Sequence, residues 1–149
     1  MAESFAVSLR AFAQKAPEQA RTVVRKVSID LLTSTVLRTP VGNPDLWAHK
    51  PPGGYVGGRL RANWNVSLVD PDSSTTNDTD DTGQAVIRRG TAVIAQADGV
   101  KDICIFNSLP YALPVEYGHS GVQAPQGMVR VTVAEFQQYV DKAAAEVNQ

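Results

Sequence analysis

The chain has 149 residues, 43% of them hydrophobic and 19% charged, the balance of one globular domain rather than of a disordered tail or a membrane protein. Fourteen Lys and Arg against fifteen Asp and Glu leave a net charge of −1, a poor footprint for a protein that holds nucleic acid by neutralising phosphates. The single cysteine, Cys104, excludes an intrachain disulfide and fits a reducing compartment.

The opening Met1-Ala2-Glu3 carries neither a cationic n-region nor an apolar h-region, so secretion is not expected. No apolar run approaches the roughly 18 residues that span a bilayer. Phe5, Leu9, Phe12 and Ala16 share a helical stripe. Pro17 is expected to restart the chain at the first turn of a second helix, where its missing N–H is unpaired anyway and Glu18 suits the positive helix end. Ala20, Val23, Val27 and Leu31, widened by Val24, Ile29, Leu32 and Val36, predict burial of that helix on more than one side until Pro40 ends it.

Residues 40–58 read PVGNPDLWAHKPPGGYVGG. Four prolines and five glycines forbid regular structure there, yet Leu46, Trp47, Tyr55 and Val56 are embedded in it. A loop of this length inside a domain is functional or disordered, and two large rings point to function. From Ala62 the chain alternates Ala62, Trp64, Val66 and Leu68 against Asn63, Asn65 and Ser67, which predicts a strand within Arg59–Val69. Residues 70–82 form an acidic, polar loop with little reason to be ordered. Asp81 or Thr82 is expected to cap a helix bearing Val86, Gly90, Val93 and Ala97. Asp98-Gly99 marks a turn, and Asp102–Phe106 a strand apolar on both faces and hence central. Met128–Val133 alternates as a last strand. Thr132 and Glu135 have capping-box spacing for a final helix with Phe136, Val140, Ala143 and Val147 on one face. The sum is one α+β domain over 1–149, with helices against a small, mostly antiparallel sheet, a Pro/Gly-rich arm at 40–58 and a flexible loop at 70–82.

The chemistry-bearing residues form no motif. His49, His119 and Cys104 lack ligand spacing. Asp78, Asp80 and Gly83 match three positions of an EF-hand loop, but Arg89 stands where the bidentate Glu belongs. Cys104 lies between Ile103 and Ile105, where a free thiol serves as a small hydrophobe. A hydrolase set could be imagined from Glu116, His119 and Asp141, but nothing in their spacing singles them out. Arg59 and Arg61 beside Tyr55 and Trp64 could serve phosphate contacts and stacking, but a strand start with snorkelling arginines and a core tryptophan is the favoured reading. No catalytic, metal or cofactor residue is expected.

Asn107–Thr132, NSLPYALPVEYGHSGVQAPQGMVRVT, resembles the neck and tail-completion family of long-tailed bacteriophages. The matching positions are Pro110, Tyr111, Ala112, Val115, Glu116, Tyr117, Gly118, His119, Ser120, Gln123, Pro125, Gly127 and Met128. Upstream, the opening helices and the step Gly58-Arg59-Leu60-Arg61-Ala62-Asn63-Trp64 also resemble that family. The resemblance implies a structural, non-enzymatic virion protein made in the host cytoplasm. It forms a homo-oligomeric ring, a hexamer or dodecamer, between the head-closure connector and the tail tube or its terminator, and double-stranded DNA passes through the lumen. A tail terminator capping the tube is the alternative, and a small hydrolase or nuclease the remote one. The contact residues expected on this reading are Leu46, Trp47, Tyr55, Arg59, Arg61, Tyr111, Glu116, Tyr117 and His119. The 40–58 arm is expected to be mobile in the monomer and ordered in the assembly.

Overall fold

The computed structural model describes residues 2–118 and 123–149, with side chains from Pro17 onward except that of Leu46. Its spine is one helix, α1 (Ala2–Arg38). Pro17 lies inside this helix and does not restart it. A proline removes one i→i−4 bond, but those on either side persist, and the Pro17 ring is exposed, clear of the core. A 3₁₀ turn (Pro44–Leu46) and the short α2 (Arg59–Ala62) follow. Strand β1 is only Asn65–Leu68, because Arg59–Ala62 coils into α2 ahead of it. Next come α3 (Gln84–Ile94), β2 (Ile103–Phe106), α4 (Ala112–Glu116), α5 (Val129–Ala134) and α6 (Phe136–Val147).

Among the described residues the fold is α+β, with six α-helices and one two-stranded antiparallel sheet pairing Asn65 with Phe106 and Leu68 with Ile103. Strand β2 is therefore an edge rather than a centre, and three of its residues are only half-buried. The segment expected to be the last strand is the helix α5. Met128 and Thr132, four residues apart, are both 1% exposed, so one helical face is buried where alternation implied a pleat. The capping box is absent as well. Thr132 turns inward, its hydroxyl bonded to Met128 O and Ser34 Oγ at 2.9 Å each. Glu135 instead pairs with Arg38 (2.6 Å) and accepts from the Tyr139 hydroxyl (2.6 Å).

Helices α3, α5 and α6 all pack on α1. Helix α6 runs antiparallel to it, since Arg38 meets Glu135, Asp30 meets Lys142 and Lys26 meets Glu146. Such exposed pairs add little stability, but they fix the alignment. The far end of α3 is tied to α1 by Arg25, which donates to Ala97 O at 2.6 and 2.9 Å, and by Arg21, which donates to Asp98 O at 3.0 Å. The core comprises Leu32, Val36, Leu60, Ala62, Trp64, Val86, Ile94, Leu109, Ala112 and Met128. Each large aliphatic side chain buried there contributes about 1.5–3 kcal/mol. The Trp64 indole N–H donates to Thr39 Oγ1 at 2.7 Å, so the one polar atom of the ring is satisfied.

Helix α3 starts differently from expectation. Gly83 is the N-cap residue, and of Asp81 and Thr82 only Thr82 touches the helix start, its hydroxyl accepting from Gln84 N at a long 3.4 Å. The Asp80 carboxylate reaches Gly83 N (2.9 Å) and Val86 N (3.0 Å) and holds the first turn. The rest of the 70–82 loop is fastened through asparagines. Buried Asn63 donates to Thr76 O (3.0 Å) and accepts from Thr76 N (2.8 Å), while Asn65 donates to Asp72 O and Ser74 O. These bonds give the loop a defined path that its composition does not suggest.

Candidate interaction surface

The arm closes on itself. Asn43 Oδ1 caps the 3₁₀ turn through Asp45 N at 3.1 Å, and Trp47 N donates back to Pro44 O. Tyr55 N donates to Pro52 O at 3.2 Å across a tight turn whose third residue, Gly54, has φ +78°, a conformation suited to glycine. The Trp47 and Tyr55 rings then lie 4.8 Å apart, tilted by 58°, within the range of centroid separations at which aromatic pairs attract. Both stay exposed, Trp47 at 43% and Tyr55 at 37%.

Burial pushes the Tyr55 phenol up, and the neighbouring Tyr111 phenol adds to the shift. Tyr111, itself exposed, stands at the start of α4, flanked by Leu109 and Ala112, both in the core. These anchors fix its backbone while the ring stays in solvent. Along α4, Leu113 and Tyr117 are also exposed, at 65% and 68%. Four residues apart, they share one face.

Glu116 points away from that face and into the protein. Its carboxylate accepts from the backbone of Met128 (2.7 Å), Val129 (2.8 Å) and Arg130 (2.8 Å). These are N–H groups at the start of α5 that have no partner within the helix. Burial pushes the Glu116 carboxyl up, but these three donors and the Arg130 side chain outweigh it and hold the group below its usual range. Arg130 donates to Glu116 Oε1 at 3.2 Å and to the Glu116 carbonyl, and its guanidinium lies 4.9 Å from the centre of the Tyr117 ring. That cation–π contact orients an otherwise exposed tyrosine.

The chain matches no family model, no curated protein and no solved structure.

Of the nine contact residues expected from sequence, the structure thus pairs Trp47 with Tyr55 on the arm and places Tyr111, Glu116 and Tyr117 on or beside α4. Leu46 lies in the 3₁₀ turn, with its side chain outside the described set, and His119 falls outside the described residues. Arg59 and Arg61 serve the interior. Arg59 donates to Thr76 O, and Arg61 to Thr39 O, Leu37 O and Asp81 O. Burial lowers the Arg61 pKa, against the opposing pull of Asp80 and Asp81. Sequence reading gave no contact role to Arg130, Leu113, Val129 or Val133 and set Phe136 on the apolar face of the final helix, whereas Val129, Val133 and Phe136 are exposed. The last three recur at i, i+4 and i+7, a helical signal hidden beneath the alternation of 128–133.

Among the described residues no three His, Cys, Asp or Glu side chains gather as metal ligands. The Asp80 carboxylate of the EF-hand-like register is committed to the start of α3. An open depression of about 480 Å³ beside it is lined by Asn77, Asp78, Asp80 and Arg89. Arg89 is occupied there with Ala62 O and Trp64 O. Glu116 is engaged by α5 and Asp141 by Gln137, so these two carboxylates have separate partners.

Proposed function

We propose that the protein is a structural component of a bacteriophage virion, one subunit of a ring in the neck that joins the head connector to the tail and surrounds the exiting DNA. The observation that carries this reading is the exposure of Trp47 and Tyr55 on the arm and of Tyr111, Leu113 and Tyr117 on or beside α4. Large rings in solvent, held in place by a tilted pair, by core anchors and by Arg130, are the composition of a protein–protein contact. They offer apolar area at low entropic cost, because their conformations are fixed before a partner arrives. The sequence resemblance centres on the same loop, with Tyr111, Glu116 and Tyr117 in its motif. Glu116 then acts through structure, fixing α4 to α5 and so presenting Tyr117.

The test is complementation of an assembly extract depleted of this protein, with heads joined to tails counted by electron microscopy. Wild-type protein restores joining. Trp47→Ala combined with Tyr117→Ala abolishes it while thermal unfolding stays within a few degrees of wild type. Full joining by the double variant, or no joining by wild type, refutes the reading.

A further inference from the structure

Strand β2 has a free edge, and its pairing with β1 fixes which backbone groups lie there. Val69 N donates to Asp102 O at 2.9 Å, in step with the register that pairs Leu68 with Ile103. In an antiparallel ladder, hydrogen-bonded pairs alternate with pairs that exchange no bond. Asp102, Cys104 and Phe106 therefore turn their N–H and C=O groups toward β1, and Ile103 and Ile105 turn theirs away. Among the described residues, none bonds to the backbone of Ile103 or Ile105 on that outer side. Buried backbone groups are almost always paired, so these groups meet water. The outer edge of β1 differs. Leu68 O accepts from Asp70 N at 3.1 Å, and α3 packs beside the strand.

Side chains alternate across the strand. Ile103 and Ile105 pack against the core cluster, yet both stay only half-buried. Cys104 and Phe106 lie on the opposite face, across from Ser67 and Asn65. Cys104 is half-buried there and Phe106 is exposed. Around Cys104 the strand reads the same in both directions, Ile103-Cys104-Ile105. A contact between identical patches needs that property, since one surface must complement itself.

We propose that β2 pairs antiparallel with β2 of a second copy of this chain, about a twofold axis through Cys104, so that one sheet runs across both copies. Ile103 then faces the partner's Ile105, and each such pair exchanges both of its backbone bonds. The facing isoleucines are β-branched pairs that continue the apolar layer of the sheet. Charge agrees with this register. Asp102 falls opposite the partner's Phe106 and Lys101 opposite the partner's Asn107, so no like charges meet. The two Cys104 residues form a pair without backbone bonds on the axis, their Cα atoms about 4.5 Å apart. A disulfide bridges Cα atoms about 4.4–6.8 Å apart, so that pair is within reach of one. The contact is small and belongs to the weak, transient class. It does not rest on the neck reading. A ring whose two faces meet head and tail has no twofold axis between neighbours, so the pair is a form of the unassembled protein.

Disulfide trapping reads both the pair and its register. Oxidation of the wild-type protein with copper phenanthroline is expected to give a Cys104-linked dimer on a non-reducing gel, and its absence overturns the proposal. Random collisions of a thiol also give dimers, so displaced cysteines decide. In a Cys104→Ser background, Asp102→Cys and Phe106→Cys are each expected to stay monomeric alone and to crosslink when mixed. Position 102 faces position 106 across the axis, and each lies roughly 13 Å from its own counterpart. A dimer band as strong from either protein alone as from the mixture overturns the register. Ile105→Pro removes an outward N–H and no bond to β1, a place where edge strands accept proline. It is expected to lose the Cys104 crosslink while circular dichroism stays that of wild type, and a folded variant that crosslinks as wild type does overturns the pair. Should the variant misfold, amide hydrogen exchange of the wild-type protein takes its place. The Ile103 and Ile105 amides are expected to gain protection as protein concentration rises, and exchange independent of concentration overturns the pair.

Discussion

The carboxylate of Glu116 stands 2.7 Å from the backbone nitrogen of Met128, twelve positions along the chain, and so closes onto the first turn of α5. Helix N-termini are ordinarily satisfied by a residue immediately before them. Here the cap comes from α4, and α5 exists as a helix because a distant carboxylate satisfies three of its free N–H groups. Glu116→Ala leaves those donors without a partner and is expected to cost about 1–3 kcal/mol, read as a shift in urea midpoint.

The same carboxylate gives a pH dependence with a defined sign. Its folded-state pKa lies below the ordinary value of 4.5, so the unfolded chain takes up the proton first as pH falls. The contribution is whole above about pH 4.5 and is lost as pH drops through the lowered folded value. Glu116→Gln has no proton to gain. Its stability is expected to fall less steeply than wild type below that pH, so the two unfolding curves converge in acid. Parallel curves from pH 6 down to pH 3 would remove Glu116 from this role.

What the sequence could show follows from how local each determinant is. Helix α3 was legible because Val86 and Gly90, two of the residues expected on its apolar face, are indeed buried, with Ile94 beside them. Its cap was missed by one residue, since Asp80 acts from outside the helix across Gly83. Residues 128–133 were misread because β-branched alternation over six positions is a local signal, while the Glu116 cap and the burial of Met128 and Thr132 are tertiary ones. Arg59 and Arg61 were expected among the contact residues because sequence shows a cation and hides the carbonyl it meets. Among the described residues Arg21, Arg25, Arg59, Arg61, Arg89 and Arg130 all donate to backbone carbonyls. The aromatic cluster was legible in part, since Trp47, Tyr55, Tyr111 and Tyr117 were named. Its geometry depends on arm closure, which composition does not encode.

Gly90 provides a test of packing against propensity. In an exposed helix interior, replacing glycine with alanine gains up to about 1 kcal/mol. At Gly90 the added methyl meets Leu32 Cδ2, and Val66 Cγ2 at 2.7 Å. Leu32 is fully buried and cannot move aside. Overpacking of this kind costs about 1–3 kcal/mol. Gly90→Ala is therefore expected to lower the melting temperature, and a gain in stability would show that the α1–α3 contact is looser than its geometry implies.

Val69 offers the reverse case. It has φ +79°, and Asp70 N donates to Leu68 O at 3.1 Å around it, a tight γ-turn that a β-branched residue adopts only under strain. The side chain is 52% exposed, so removing it forfeits little burial. Val69→Gly relieves a conformational penalty of about 1–2 kcal/mol, set against the greater freedom glycine gives the unfolded chain. A net rise in stability of up to about 1 kcal/mol is expected, measured by urea unfolding. A net loss would mean that contacts of Val69 outweigh its backbone strain.

Arg61 separates a structural role from a nucleic-acid one. Its guanidinium gathers the carbonyls of Leu37 and Thr39 at the C-terminal end of α1 and that of Asp81 before α3. A cation there meets carbonyls the helix leaves free and the negative end of its dipole. It is also part-buried, so a shorter side chain leaves acceptors unmatched. Arg61→Ala is expected to cost about 1–3 kcal/mol. Lysine rescues only a fraction, because a single ammonium cannot span the carbonyls that the planar fork reaches. Binding to double-stranded DNA, measured by fluorescence anisotropy at low salt, should not differ between wild type and Arg61→Ala while both are folded. A fall in affinity with a shallower salt dependence would instead make Arg61 a phosphate ligand, and the carbonyl contacts would then describe only its resting position.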